Sequence, residues 1–139
     1  PLPEKYDDRI DLQRGAYVLE EDPDFDVILI ATGSEVNTTL DAASMLREDG
    51  SKVRVVSMPS WELFEKQDED YKESILPENC IKRVSVEAAT TFGWQRYTGR
   101  RGLNIGIDNF AKSGPAEVLQ EQYGLTPQAL ATKISEYLE

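Results

Sequence analysis

The residues best placed for chemistry in this chain are small ones. Thr32-Gly33-Ser34 stand between an unbroken apolar run, Val27–Ala31, and the start of a helical pattern. At a helix start, free N–H groups and the axial dipole attract negative charge, contributing about 0.3–1 kcal/mol at an exposed site. Thr32, Gly33 and Ser34 therefore form a candidate anion site. The same residues also suit a local role, with Gly33 allowing the turn and Ser34 or Thr32 capping the helix. Glu35 favours that local role, because its carboxylate already occupies the positive end of the helix. No Gly-x-Gly-x-x-Gly pattern occurs, which argues against dinucleotide binding. Ser113-Gly114-Pro115, with Lys112 beside it, is a second helix start open to the same two readings.

Other reactive groups are few. Glu87 closes a strand pattern and could act as an acid or base, but no partner is identifiable, and a hydrogen bond within its loop fits equally. Cys80 has no neighbour that would strongly lower its pKa. The Asp24/Asp26 and Asp68/Glu69/Asp70 clusters lack the spacing of a calcium loop and read as solvated surface. Asn37-Thr38-Thr39 matches a glycosylation sequon, which without a leader pattern is a chance match. Phe92, Trp94 and Tyr97 mark an aromatic stretch that is either a stacking surface or, as expected here, a contact with a neighbouring domain or subunit. The chain has no histidine. That excludes serine or cysteine triads relayed by imidazole, zinc sites built on His, and His-relayed proton transfer.

Fifteen Lys and Arg against 26 Asp and Glu give a net charge of −11. Nucleic acid and anionic membrane surfaces are poor partners for such a chain, since both bind through neutralised phosphates. A single cysteine rules out an internal disulfide and suggests a reducing compartment, the cytoplasm. No apolar run approaches the length of a membrane span, and no signal-peptide pattern is visible.

The elements that must position these residues follow from hydrophobic period. A chain of 139 residues suits one domain, burying roughly 70% of its unfolded surface. Residues 1–14 are polar, punctuated by proline and aperiodic, and read as a linker arriving from something upstream, with the domain proper at 15–139. Strands are expected over 16–20, 26–32, 52–58, 83–87 and 103–108. The run Val27–Ala31 lacks a wet face and reads as a strand covered on both sides. The short turn before it suggests that strands 16–20 and 26–32 pair antiparallel.

Helices are expected over 34–48, with Val36, Leu40, Ala43 and Leu46 on one face and Gly50 as the stop. Ser60 caps a helix holding Trp61, Leu63 and Phe64, with the cluster read as core that in part faces other domains. A second short helix over 68–76 pairs Tyr71 with Ile75. Gly114-Pro115 opens a helix with Val118, Leu119 and Tyr123 on its face and Gly124 as its stop. Thr126-Pro127 opens the last, with Leu130, Ile134 and Leu138 aligned. Alternating strands and helices imply a three-layer α/β/α sandwich around a mostly parallel, mixed sheet of about five strands.

Five separated stretches resemble the carboxyl-terminal domain of transketolase. They are Ile30-Ala-Thr-Gly-Ser-Glu-Val36, Ser57-Met-Pro-Ser-Trp-Glu-Leu-Phe-Glu-Lys-Gln67, Val84-Ser-Val-Glu-Ala88, Thr91-Phe-Gly-Trp94 and Ser113-Gly-Pro-Ala-Glu-Val-Leu119. The resemblance implies a homodimeric enzyme of three α/β domains using thiamine diphosphate and a divalent cation, Mg or Ca. Such enzymes move a two-carbon ketol unit from a ketose phosphate to an aldose phosphate in the pentose phosphate pathway. In that family the cofactor is gripped by the diphosphate- and pyrimidine-binding domains, whose Gly-Asp-Gly motif and histidines are not in this sequence. The resemblance therefore implies a domain that completes the subunit and supports the dimer, with no catalytic, cofactor-binding or metal-binding residues of its own. Ala111-Lys112 depart from the family's usual Gly-Ala before Ser-Gly-Pro-Ala. Two other readings stay open: an anion- or nucleotide-binding regulatory module, or the last domain of another thiamine diphosphate enzyme.

Overall fold

The strand with no wet face lies at the centre of the sheet. In the computed structural model, which describes residues 2–106 and 125–139, β2 (Val27–Ala31) is buried at every position. It runs parallel to β3 (Val53–Ser57) on one side and to β4 (Arg83–Val86) on the other. β4 pairs in parallel with β5 (Leu103–Ile105), and β1 (Tyr17–Glu21) closes the opposite edge, giving the order β1-β3-β2-β4-β5. Along β2 the side chains alternate between two cores. Val27, Leu29 and Ala31 pack into one, while Ile28 and Ile30 pack into the other.

The expected pairing of the first two strands is corrected: β1 is antiparallel to β3, not to β2. Residues 22–26 step over the start of β3. Asp22 N–H donates to Val53 O at 3.0 Å, and Asp26 N–H donates to Lys52 O at 2.8 Å. Val53 N–H in turn donates to the Asp22 carboxylate at 2.8 Å. The physical reason is burial. β1 keeps wet residues at Glu20 and Glu21, so it belongs at an edge, whereas all-apolar β2 needs a neighbour on each side. A register shift between Val18 and Glu20 bends β1 as edge strands often are.

Helices cover both faces. α1 (Glu35–Glu48) buries Val36, Leu40, Ala43 and Leu46, as its period requires, and packs against α5 (Pro127–Leu138), which buries Leu130, Ala131 and Ile134. α1 ends where Gly50 N–H reaches Arg47 O and Ser51 N–H reaches Leu46 O, both at 3.0 Å. On the other face lie α2 (Trp61–Glu65), α3 (Glu69–Ile75) and the single turn α4 (Gln95–Thr98). Ser60 and Asp68 cap α2 and α3 through bonds to Leu63 N and Tyr71 N, and Thr126 caps α5 through Ala129 N. The three-layer α/β/α sandwich is thus present. The helix expected from Gly114 to Gly124, the Ser113 helix start and the end of strand 103–108 lie outside the described residues.

The polar N-terminal segment is anchored to the domain. Of two 3-10 turns, Glu4–Arg9 lies along β1 and Leu12–Arg14 packs against α2, and Tyr6 is buried in the main core. Tyr6 Oη donates to the Glu20 carboxylate and Arg9 donates to Leu19 O, so the first turn covers the outer edge of the sheet. Gly15 joins the turns to β1. Its φ is +80°, and a Cβ there would sit 2.3 Å from Phe64 N and 2.4 Å from Ser60 O, so no other residue fits.

Candidate functional site

Because β2 is followed by a crossover to β3 and β3 by one to β4, the strand order reverses between β2 and β4. In open α/β sheets ligands settle at the carboxyl ends of strands at such a point. Here it is built from Thr32-Gly33-Ser34, the first turn of α1, and the residues after β4. The turn itself is ordinary: Gly33 has φ +61°, which a side chain rarely adopts. Two of the first-turn donors are already engaged, with Glu35 N–H on Thr32 O and Val36 N–H on Gly33 O, each at 3.3 Å.

The charge at this point is negative. Ser34 Oγ donates to the Glu35 carboxylate at 3.0 Å, and the other Glu35 oxygen hangs 3.9 Å from where a Gly33 side chain would begin. Ser34 stands at the N-cap position of α1 but makes no side-chain cap bond. Glu87 follows β4, where its N–H donates to Ile105 O at 3.0 Å. Partial burial, and then the neighbouring Glu35 charge, push the Glu87 carboxyl above its ordinary range. The Glu35 carboxylate at this helix start disfavours a phosphate there. The residues present do not fit a diphosphate, and among the described residues no group of three or more His, Cys, Asp or Glu is arranged for a metal ion.

The aromatic stretch divides. Trp94 is 2% exposed and Tyr97 4%, and both pack with Trp61 and Phe64 inside this chain's own core. Trp61 meets Trp94 edge-on at 5.0 Å and Tyr97 at 5.5 Å. Tyr97 Oη donates to Glu65 at 2.9 Å, and burial with that bond raises its pKa. Of the three aromatics expected at an interface, only Phe92 faces outward, at 83% exposure. The division follows from helical geometry: the α4 turn rotates Trp94 and Tyr97 under Trp61 and leaves Phe92 on the loop before it. Leu12 is also exposed, and Leu63 partly so, on the turn and helix beside Gly15.

Cys80 is partly buried. Burial pushes its thiol up, outweighing the opposing charge of Arg83.

Sequence reasoning missed two arginine hubs. On α1, Arg47 donates to Asp22 and to Glu20, each at 2.7 Å. Burial alone would raise both carboxyls, but the bonds from Arg47, with Tyr6 on Glu20 and Val53 N–H on Asp22, pull them below their ordinary values. On β4, Arg83 donates to the carbonyls of Cys80 (2.9 Å), Tyr97 (2.8 Å), Leu76 (3.2 Å) and Pro77 (2.8 Å). Nothing in hydrophobic period announces such roles, since an arginine at the start of a strand reads simply as polar.

Most of the chain agrees with known proteins. The family model described as transketolase-like TK C-terminal domain matches residues 15–126. The chain is 47% identical to Transketolase-1, chloroplastic, of Arabidopsis thaliana over 122 residues, 86% of this chain and 16% of that protein. It is 43% identical to a Staphylococcus aureus transketolase over 126 residues, 88% of this chain and 19% of that protein. Transketolase from Leishmania mexicana superposes with a TM-score of 0.81 at 37% identity, over 91% of this chain and 18% of that one. The chain thus spans about a sixth to a fifth of the length of these relatives. These matches disfavour both a free-standing anion-binding module and the last domain of a different thiamine enzyme. On this sequence match, this sheet order and this layering, the chain belongs to the transketolase C-terminal domain family.

Proposed function

We propose that this chain is the scaffolding and assembly domain of a transketolase, acting through the rest of that enzyme. The whole protein transfers a two-carbon ketol unit between ketose and aldose phosphates in the pentose phosphate pathway, as a homodimer. Thiamine diphosphate and a divalent cation belong, in this reading, to the diphosphate- and pyrimidine-binding domains joined upstream of residues 1–14. The observation that supports the proposal is the family match over residues 15–126, together with the Glu35 carboxylate at the first turn of α1, where many α/β folds receive a phosphate. What remains at that end is apolar contact, with Phe92 exposed and Leu12 and Leu63 on the neighbouring turn and helix. These side chains suit a neighbouring domain or subunit. Among the described residues no helix is long and apolar enough to cross a membrane, and the proposed location is the cytoplasm, or a plastid where the parent enzyme carries the appropriate address.

The test is a chimera in which this chain replaces the last domain of the Staphylococcus aureus transketolase. The chimera should dimerise and transfer ketol units from a pentulose phosphate. This chain alone, supplied with thiamine diphosphate, Mg²⁺ and both sugars, should not. Turnover by the isolated chain, or a chimera that folds yet neither dimerises nor turns over, would overturn the reading.

A further inference from the structure

The opposite, amino-terminal end of the sheet carries a feature that scaffolding does not explain. Between the loop before β4 and the turn after α4 lies a cavity of about 390 Å³, lined by Cys80, Ile81, Arg83, Thr98, Arg100 and Arg101 along with Gly99. That volume is within the range of small-molecule sites. Three arginines are among its lining residues, in a chain whose net charge is −11.

The state of those arginines is informative. Every other arginine of the chain has a partner. Arg9 bonds Leu19 O, Arg14 pairs with Asp11, Arg47 with Glu20 and Asp22, Arg54 with Glu21, and Arg96 with Glu65. Arg83 is committed to four carbonyls and has no carboxylate of its own. The acidic charges that act on it are Glu73 and Glu78. Among the described residues Arg100 and Arg101 make neither ion pair nor side-chain hydrogen bond. Guanidinium groups without a carboxylate partner can take an oxyanion through charge-assisted bonds.

The walls that carry them are held in place. Arg83 ties the end of α4 to β4 through Tyr97 O at 2.8 Å, Gly102 N–H reaches Gly99 O at 3.2 Å, and Tyr137 Oη from α5 donates to Arg101 O. A site whose frame is already ordered loses little entropy when it binds. Ile81, 52% exposed at the rim, offers an apolar seat beside the charges.

We propose that this cavity binds a small molecule bearing a phosphate or carboxylate group. The forks of Arg100 and Arg101 hold its oxygens, the Arg83 charge lies behind them, and Ile81 packs on its carbon body. This site is separate from the switch point, and it stands or falls independently of the scaffold role, which the chimera tests.

The experiment is an amide NMR titration of this chain at constant ionic strength with inorganic phosphate, a hexose 6-phosphate and citrate, each in turn. Saturable shifts at residues 80–83 and 98–101 are expected for at least one probe. The affinity should fall roughly tenfold or more in Arg100→Ala/Arg101→Ala, with the melting temperature unchanged. The Arg100→Lys/Arg101→Lys variant should lie between the two, because it keeps the charge and loses the fork. A preference for the hexose phosphate or phosphate assigns a phosphate group, and a preference for citrate assigns carboxylates; either supports the site. Shifts centred on Gly33 and Ser34, undiminished binding by the double alanine variant, or no saturation below roughly 10 mM for any probe would overturn it.

Discussion

Replacing Arg83 by methionine tests whether one guanidinium holds the second face of the sheet together. The side chain leaves β4 and gathers the carbonyls of Leu76 and Pro77 after α3, Cys80 in the following loop, and Tyr97 near the end of α4. Two helix ends are thereby fixed to one strand, with a cation where the helix dipoles favour one. Methionine keeps much of the volume and deletes every donor. At roughly 0.5–1 kcal/mol net for each of the four hydrogen bonds, exchange with water included, their removal costs about 3 kcal/mol. With a urea m-value of about 2 kcal/mol/M, the midpoint should fall by about 1.5 M at unchanged slope. Arg83→Lys, with one charge and no fork, should lose an intermediate amount. Hydrogen exchange should show Leu76 and the α4 amides losing protection before β2 does. If Arg83→Met costs less than about 0.5 kcal/mol, water replaces the guanidinium freely and the hub is a surface feature.

Further outcomes can be measured on the same chain. Tyr6, pushed up to about 12 by burial and its bond to Glu20, binds its proton more tightly folded than unfolded. Its contribution is present below pH 10 and lost as pH rises toward about 12, so Tyr6→Phe should flatten the alkaline limb of the stability curve. Glu20 and Asp22 have the opposite sign: their lowered pKa values stabilise the fold above the ordinary carboxylate range and cease to do so as pH falls through it. Acid unfolding of Arg47→Met should therefore show a weaker pH dependence below about pH 4 than the parent chain. Gly15→Ala should cost about 3 kcal/mol or more by thermal melting, because the new Cβ meets backbone atoms of α2 that cannot move aside. Phe92→Ser should leave the chain's own melting temperature within a degree or two while weakening dimerisation of the chimera, measured by sedimentation. A destabilised isolated chain would show instead that Phe92 belongs to its core.

Much of the architecture was written in local pattern. The unbroken apolar run Val27–Ala31 demanded cover on both faces and received it. The spacing of Val36, Leu40, Ala43 and Leu46 oriented α1, and Ser60, Asp68 and Thr126 placed the starts of three helices through their own side-chain oxygens. These features depend on residues within a turn or two of one another, so a linear chain displays them. Likewise, Glu35 stood beside Gly33 in sequence, and its objection to an anion could be read before any fold was known.

Other properties depended on which residues distant in the chain became neighbours. The partner of β1 was decided by Asp22 meeting Val53, and the polar opening segment lies against the domain because Tyr6 reached Glu20. Trp94 and Tyr97 turned inward because Trp61 lay above them, leaving Phe92 outside. The raised Glu87 and the presence of Arg83, Arg100 and Arg101 around one cavity likewise required strands and turns to be brought edge to edge. Periodicity records whether a side chain is wet or dry, but charge and hydrogen bonding act between particular atoms a few ångströms apart. Those distances exist only once the sheet has formed.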